Sequence, residues 1–421
     1  MSSLAYFVGT FPTPSETFVY REVHELRSRG WRVNVVGLRR APTPISDDLL
    51  ALQTGTIVLY GQPMQFIARV MAELFYQPLR SLSTLCAALA DAVFPGETLS
   101  LTNRIKILAQ GLMGISAAHS LRSLKVNHVH CHFAHGPTSG GMYAAAQLGV
   151  PFSFAGHAND LFQRRSLLKR KLQRAAFVSC ISEWHADFYE QVHPDDSGKY
   201  HVIRCGVPVD SWSPGLRGNG DGTLKILTVG RLVEKKGIDT LLRALAVWAK
   251  DSQLPWQLTV AGDGPSRSEL ETLSKALQIS DRVDWLGSTG NAQVCELMQS
   301  ADIFALPCKM DRNGDRDGIP VVVMEAMACG LPVVVGDLPA IRELVSNHQT
   351  GLLCDGADPL SVAECLKHLA ESRLLRERLG AAGRQRVIDE FSLERNMDRL
   401  ETALVGYLTT NREDSRELVT A

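Results

Sequence analysis

Residues Asp317 to Val335 read Asp-Gly-Ile-Pro-Val-Val-Val-Met-Glu-Ala-Met-Ala-Cys-Gly-Leu-Pro-Val-Val-Val. A Gly-Ile-Pro turn leads into an apolar run, Val322 to Cys329, that Gly330 stops and Pro332 keeps from resuming, so the run is predicted to be a short helix. Pro332 to Val335 follows as a buried strand. Asp317 precedes the helix and Glu325 falls within its first turns. An acid ahead of a helix whose first N–H groups lack intrahelical partners marks a place for a polar, anionic ligand, because those amides and the helix dipole stabilise negative charge. A helix feeding directly into a buried strand is the unit of a parallel α/β sheet, and the same alternation extends on both sides of this stretch.

Upstream, Lys225 to Val229 is a strand, and Gly230-Arg231-Leu-Val-Glu-Lys-Lys236-Gly237 follows before a helix opens at Ile238. A Gly-hinged loop at a strand's carboxyl end, carrying a guanidinium fork and an ammonium point charge, suits a diphosphate. It is not a Walker loop, since Gly-Lys-Ser/Thr is missing, and no Gly-x-Gly-x-x-Gly run follows the first strand of either half, which argues against a nicotinamide enzyme. Strands at Gln257 to Ala261, Arg282 to Gly287, Ala301 to Pro307 and Leu352 to Cys354 continue the pattern, and Arg384 to Tyr407 is helical by period. The Asp/Arg/Gly composition of Cys308 to Arg316 predicts a mobile loop just ahead of Asp317.

The N-terminal half begins with a strand, Leu4 to Gly9, a proline loop, a helix to Gly30 and a second strand, Trp31 to Leu38: a βαβ unit whose loop lies at the sheet edge where open α/β sheets bind ligands. Ser15 and Glu16 there are either helix caps or acceptor-site groups. Residues 62–124 are helical in composition, and Phe66 to Leu85 is either an amphipathic surface helix or packing against the sheet. The run His128-Val-His-Cys-His132-Phe-Ala-His135 looks like a metal cluster, but alternation in a strand is expected to point neighbouring rings to different faces, and no carboxylate or second ligand set lies nearby in sequence; no metal site is expected. A strand from Val150 to Ala155 ends in Gly156-His157-Ala-Asn-Asp160, with His157 and Asp160 able to reach a ligand. Arg164, Arg165, Lys169, Arg170, Lys171 and Arg174 crowd one helical stretch, either a contact for an anionic membrane or acceptor or a solvated face. Nucleic acid is disfavoured, since no aromatic-interleaved or helix-turn-helix pattern accompanies the charge.

The 421 residues are too many for one ordinary domain and, at 45% hydrophobic, enough for two cores. The expected division is residues 1–212, a Gly/Pro/Asp-rich linker at 213–223, a second domain at 224–395 and a final helix at 396–421. Net charge is −1, yet residues 1–218 carry 21 Lys+Arg against 15 Asp+Glu, so the excess of acid lies in the second half. Nine cysteines without metal or disulfide spacing read as buried thiols in a reducing compartment. The N-terminus lacks a basic n-region and no run of 18 apolar residues occurs, which predicts a cytoplasmic protein, at most peripheral at the inner face of the plasma membrane.

The Asp317 to Val335 stretch resembles the acid-x7-acid signature of retaining GT-B glycosyltransferases of family 4, written Glu-Gly-x6-Glu-Ala-Met-Ala-x-Gly, with Asp317 one methylene shorter than the usual Glu. Gly230 to Gly237 is similar to the family's Gly-Arg-Leu-x-x-x-Lys-Gly, His128 to Phe133 to its His-x-His-x-Phe strand end, and Phe154 to Asp160 to its Phe-x-x-His-x-x-Asp loop. Phe-Pro-x-x-Ser-Glu-Thr-Phe at residues 11–18 resembles the opening of its exopolysaccharide-type members. The resemblance implies two Rossmann-like domains facing across a cleft, with a C-terminal helix crossing back to the first. It puts Gly230, Arg231 and Lys236 on the donor phosphates, Asp317 on the donor sugar, Gly318, Ile319, Pro320 and Val321 at the distal phosphate, Glu325 on the ribose and His157 near the sugar. It implies a metal-independent transferase without a cofactor, using a UDP- or GDP-linked sugar and a lipid-linked glycan acceptor. Two rivals stand beside it: a nucleotide-sugar epimerase of the same fold, and a non-catalytic nucleotide-sugar binder, motivated by Asp317 in place of Glu.

Overall fold

A computed structural model describes residues 2–13, 16–41, 47–157, 166–215 and 222–420. The chain divides into two compact units, Met1–Arg204 with Met397–Ala421, and Cys205–Asn396.

The first unit is a seven-stranded parallel sheet: β1 (Ser3–Phe11), β2 (Arg32–Arg40), β3 (Ile57–Val58), β4 (His128–His132), β5 (Phe152–Gly156), β6 (Phe177–Cys180) and β7 (Tyr200–Val202), in the order β3-β2-β1-β4-β5-β6-β7. The order reverses beside β1, so the carboxyl ends of β1 and β4 flank a switch point, where ligands bind in such sheets. Every residue of β4 and β5 is buried, as expected of strands covered on both faces. The chain's last helix, from Met397 onward, belongs to this unit: Trp31 Nε1 donates to Glu401 Oε1 at 2.7 Å and Tyr407 stacks on Phe177.

Between β3 and β4 run three helices, Pro63–Tyr76, Pro78–Val93 and Leu101–Arg122. The apolar piece Phe66 to Leu85 is therefore not one helix; Pro78 opens a second at its own N1 position. The polarity of these helices is inverted. Glu73, Ser81, Thr84 and Asp91 are at most 3% exposed, while Met64, Phe75, Leu79 and Leu101 are 74–82% exposed. The buried polar groups are paired: Gln147 Nε2 donates to Glu73 Oε1 at 3.0 Å, Arg122 pairs with Glu73, and Arg174 grips Asp91 through two bonds of 2.7 and 2.9 Å. Packing against the sheet accounts for the inner side only.

The second unit is a six-stranded parallel sheet: β8 (Leu224–Val229), β9 (Trp256–Ala261), β10 (Val283–Gly287), β11 (Ile303–Leu306), β12 (Val333–Gly336) and β13 (Leu352–Cys354), in the order β10-β9-β8-β11-β12-β13. Its switch point lies between β8 and β11. The helix after Asp317 spans Val321–Ala328 and ends at Gly330, whose φ of +68° is the left-handed conformation that glycine adopts at little cost.

All nine cysteines are free thiols; five are buried and three partly so, but Cys86 is exposed on the outward side of the helices, contrary to the expectation of a buried thiol.

Candidate active site

In the second unit the loops at the carboxyl ends of β8 and β11 converge, as a switch point requires. The β8 loop carries Gly230, Arg231 and Lys236; the β11 loop runs from Pro307 through Asp317. They approach so closely that a Cβ on Gly237 would lie 1.9 Å from the Pro307 carbonyl oxygen, and Gly237 has φ +67°, so both the space and the backbone demand glycine there. Lys236 Nζ lies 2.8 Å from Asp317 Oδ2, and Lys235 Nζ is 3.4 Å from Asp317 Oδ1 and 3.0 Å from Asp315 Oδ2. Burial alone disfavours both charges of the Lys236–Asp317 pair. The pairing outweighs it, holding the Asp317 carboxyl below its usual range and the Lys236 ammonium above its own. Burial, reinforced by Asp317, raises the Cys308 thiol, which therefore keeps its proton and donates to Asp317 Oδ2 at 3.3 Å.

Arg231 is exposed, and its side chain makes no hydrogen bond or ion pair with any described residue; its carbonyl accepts from the Val233 amide. Gly318, Ile319 and Pro320 lead into the helix at Val321, where no side chain caps the N-terminus. Glu325 is buried, 6% exposed, one turn into that helix. The expected mobility of Cys308 to Arg316 is corrected by its contacts. Lys309 Nζ bonds both oxygens of Asp239 at 2.8 and 2.7 Å, Arg312 pairs with Glu234, and Asp311 Oδ1 accepts from the amides of Asn313 and Asp315. The charged composition of this loop is spent on pairing.

In the first unit a second cluster gathers at the ends of β1, β4 and β5. His132 Nδ1 is 3.1 Å from His157 Nε2, and His132 Nε2 is 3.3 Å from Glu22 Oε1. The Tyr6 hydroxyl bonds to Glu22 and lies 2.8 Å from His132 Nε2. Phe18 and Phe133 sit against the His157 ring, with centroids 4.5 and 4.9 Å away. Burial, followed by the nearby His132, His185 and His135, pushes His157 well below the usual histidine range, so the ring is neutral. His130 is likewise neutral, chiefly by burial, and shares Ser153 Oγ with His128, each at 2.7 Å.

The reading of the histidine run needs correction. His128, His130 and His132 are two residues apart, so their rings share one face, and Glu22 brings a carboxylate to it. Glu22, His130 and His132 offer ligand atoms within 4.8 Å of one another. Glu22 was not singled out from sequence; its signal was the i, i+4 spacing from Phe18, which places both on one side of the Thr17–Ser28 helix. Tyr6, Lys235, Asp315 and Cys308 were also missed.

Glu16 is the N-cap of that helix, but its side chain makes no capping bond. Ser15, Asp160, Arg164 and Arg165 lie outside the described residues. Lys171 is excluded as a surface contact: it is fully buried, and its Nζ donates to the carbonyls of Ala134, Ser166 and His135 at 2.6, 2.6 and 3.3 Å. Arg174 is engaged with Asp91, while Lys169 is exposed and Arg170 half-buried.

Residues 217–386 match the family described as "Glycosyl transferases group 1", and residues 97–211 match "Glycosyltransferase Family 4". The chain belongs to these glycosyltransferases and is a transferase enzyme of the GT-B fold. It is 26% identical to the putative colanic acid biosynthesis glycosyltransferase WcaL of Escherichia coli K12, over 86% of this chain and 89% of that protein. It is 31% identical to the amylovoran biosynthesis glycosyltransferase AmsK of Erwinia amylovora over 46% of this chain, and spans about half, 47%, of that relative. Among solved structures, Anabaena Alr3699/HepE in complex with UDP and glucose superposes with a TM-score of 0.68 at 15% identity, covering 96% of this chain and 100% of that one; at this identity the likeness speaks for the fold.

Proposed function

We propose that the protein transfers a sugar from a UDP- or GDP-linked donor to a hydroxyl of a lipid-linked glycan in exopolysaccharide, capsule or lipopolysaccharide synthesis, with retention of anomeric configuration and without a metal ion or cofactor. The observation that carries this reading is the meeting of Lys236, exposed Arg231 and an uncapped helix N-terminus at the switch point of the second unit. These are donors for a diphosphate. Lys236 exchanges Asp317 for phosphate oxygens, the Arg231 fork closes on the same group, and the amides from Gly318 to Val321 meet the distal phosphate. Asp317, released, contacts the sugar, and Glu325 accepts from the ribose hydroxyls.

In the transfer step the bond from the anomeric carbon to phosphate oxygen breaks and the bond to the acceptor oxygen forms on the same face. The acceptor's proton passes to the departing phosphate, and cations placed in advance stabilise the charge that develops there. Removing one such preorganised donor costs about 3 kcal/mol, or roughly a hundredfold in rate.

Contact with a lipid surface is supported by the outward side of the helices over residues 63–122. Met64, Ile67, Met71, Phe75, Leu79 and Leu82 are each more than half exposed, and no acidic residue is exposed between Tyr60 and Leu112, whereas Arg80 and Lys106 are. An apolar patch of this kind free of acid fits an anionic bilayer surface.

The test is turnover of UDP- and GDP-sugars in EDTA with membrane extract as acceptor. Sugar appearing in the lipid fraction, and lost in Arg231→Ala and Glu325→Ala, supports the reading. A free altered sugar without acceptor would mean an epimerase, and thermal protection by donor without any product a binding protein. Sedimentation with phosphatidylglycerol vesicles, lost in Phe75→Asp/Leu79→Asp, tests the lipid contact.

A further inference from the structure

Three side chains of the first unit converge on one point. Glu22 hangs from the Thr17–Ser28 helix, and His130 and His132 stand two residues apart on β4, so that their rings share a face of the sheet. Glu22 Oε1 lies 3.3 Å from His132 Nε2 and 3.7 Å from His130 Nε2, and all three atoms fall within 4.8 Å of one another. Glu22 and His132 find a hydrogen-bond partner here, since the Tyr6 hydroxyl bonds to the carboxylate and lies 2.8 Å from His132 Nε2. His130 Nε2 finds none. Its side chain is 1% exposed, the 3.7 Å gap to Glu22 is too long for a hydrogen bond, and no other described residue serves that nitrogen. A buried polar atom in that state costs about 1–3 kcal/mol, and the hydrogen-bonded cluster by itself leaves that cost unmet.

The far nitrogens of both rings are already engaged. His130 Nδ1 is 2.7 Å from Ser153 Oγ, and His132 Nδ1 is 3.1 Å from His157 Nε2. Histidines that bind a metal are held in this way: an outer partner on one nitrogen turns the other toward the ion, and a ligating carboxylate is itself hydrogen-bonded, as Glu22 is by Tyr6. The spacing selects the geometry. Zinc at about 2.05 Å from its ligands sets tetrahedral ligand atoms about 3.3 Å apart, whereas an octahedral ion at the same bond length brings neighbours to about 2.9 Å. The observed 3.3 and 3.7 Å match the tetrahedral edge more closely.

We propose that Glu22 Oε1, His130 Nε2 and His132 Nε2 bind one zinc ion. Two imidazoles and a carboxylate are a donor set that zinc accepts, while the imidazoles turn the site away from magnesium and calcium, which take oxygen. The ion gives His130 Nε2 its partner, and His132 Nε2 exchanges the Tyr6 hydroxyl for it. Glu22, 16% exposed, is the ligand that solvent reaches, and it gives the ion its way in. Bound there, zinc ties the Thr17–Ser28 helix to β4. Its role is structural, and the transfer step proposed above makes no use of it.

The test uses the full, untagged chain, stripped with a strong chelator, reloaded with Zn²⁺ alone and desalted. Elemental analysis should find one zinc per chain in the wild type, with a Tm above that of the stripped protein. His130→Leu, which fills the buried space without a ligand atom, should hold no zinc and show no such rise. Glu22→Gln should weaken Zn²⁺ binding about a hundredfold or more, and Ser153→Ala, which removes only the outer partner of His130, roughly 10–100-fold. If a ligand variant does not fold, the Ser153→Ala titration carries the comparison. Co²⁺ in place of zinc should give visible bands without a near-ultraviolet thiolate band, since no cysteine enters the site. No zinc held by the wild type, equal zinc in His130→Leu, affinity unmoved by Ser153→Ala, or a thiolate band would each overturn the proposal and leave a hydrogen-bonded cluster of Tyr6, Glu22 and His132. A chain that binds zinc as expected and transfers no sugar would overturn the proposed function and leave the metal site standing.

Discussion

Asp317→Asn separates the two jobs assigned to this carboxylate. Asp317 pairs with Lys236 at 2.8 Å, both side chains being 14% exposed, and it is also 3.4 Å from Lys235. Lys235 keeps Asp315 as a partner after the substitution, so the cation left unpaired is Lys236. Orphaning one member of a fully buried pair costs about 3–5 kcal/mol. Partial exposure lowers that here to about 2–3 kcal/mol, or roughly 6 °C in Tm for a unit of this size. The pH dependence follows from the two shifts. Asp317 has a folded pKa below its usual 3.8, so its contribution is present above that value and is lost as pH falls through the lower folded one. Lys236 is raised above 10.5, so its contribution is present below that value and is lost as pH rises through the higher folded one. The difference in stability between wild type and variant should therefore be flat from about pH 5 to 9 and shrink in acid. On the proposed function, a nucleoside diphosphate has to break the Lys236–Asp317 pair in the wild type but finds Lys236 unopposed in the variant. Binding of UDP or GDP by calorimetry should tighten about tenfold, some 1.4 kcal/mol, while sugar transfer falls. A variant as stable as wild type, or one that binds the diphosphate more weakly, would falsify the exchange of Asp317 for phosphate.

Glu325→Gln keeps the shape of a buried side chain but weakens hydrogen bonds to hydroxyls; nucleoside diphosphate affinity should fall about tenfold by titration, with 2′,3′-dideoxyribose analogues indifferent to the change. Lys171→Met removes a buried ammonium and leaves the carbonyls of Ala134, His135 and Ser166 without it, and chemical denaturation should report a loss of about 3 kcal/mol in the first unit. Acid should unfold that same unit first. Burial pushes His128 down to about 3 and His185 down to about 4, so stability that is complete above pH 6.5 is lost as pH falls toward those values, about 2 kcal/mol for each histidine at pH 5. Tryptophan fluorescence of Trp31 and Trp184 against Trp248 and Trp256, read through single replacements, separates the two transitions.

The fold was legible where local pattern and tertiary role coincide. Val-rich strands, Gly stops and short loops announce a parallel α/β sheet, and the loop after Val229 gathers a guanidinium and two ammonium groups within eight consecutive residues. Four misreadings share a physical origin: a side chain's environment is set by what packs across from it. Glu22 and His132 are 110 residues apart and meet only because β1 and β4 are neighbours in the sheet. Lys171 belongs to a basic run, yet in a helix one position of such a run faces inward, and here three carbonyls await it. The charged loop before Asp317 looked mobile because its partners Glu234 and Asp239 lie in another segment. The helices after β3 carry enough apolar residues for a core, but their buried Glu73 and Asp91 turn the apolar side outward, an orientation that periodicity alone does not determine.

The two switch points are chemically unlike. In the second unit, Lys235 and Lys236 pair with Asp315 and Asp317 on the loops ahead of a helix N-terminus, and the Arg231 side chain is exposed nearby in sequence. That arrangement answers charge, and its strength comes from Coulomb attraction in a partly desolvated site. In the first unit the corresponding edge is built of imidazoles, of which His130 and His157 are held neutral by burial, two phenyl rings and a carboxylate. A neutral hydrogen-bonding edge against aromatic faces cannot hold a diphosphate, but it distinguishes hydroxyl positions on an uncharged ring, because each unmatched hydroxyl leaves a buried polar atom unpaired. On the proposed function, substitutions in the second unit's cluster should act on nucleotide affinity, whatever the sugar. Those in the first should alter which sugar is transferred while leaving affinity for the free nucleotide unchanged, and a His132 or Glu22 variant that lost nucleotide affinity would break this division of labour.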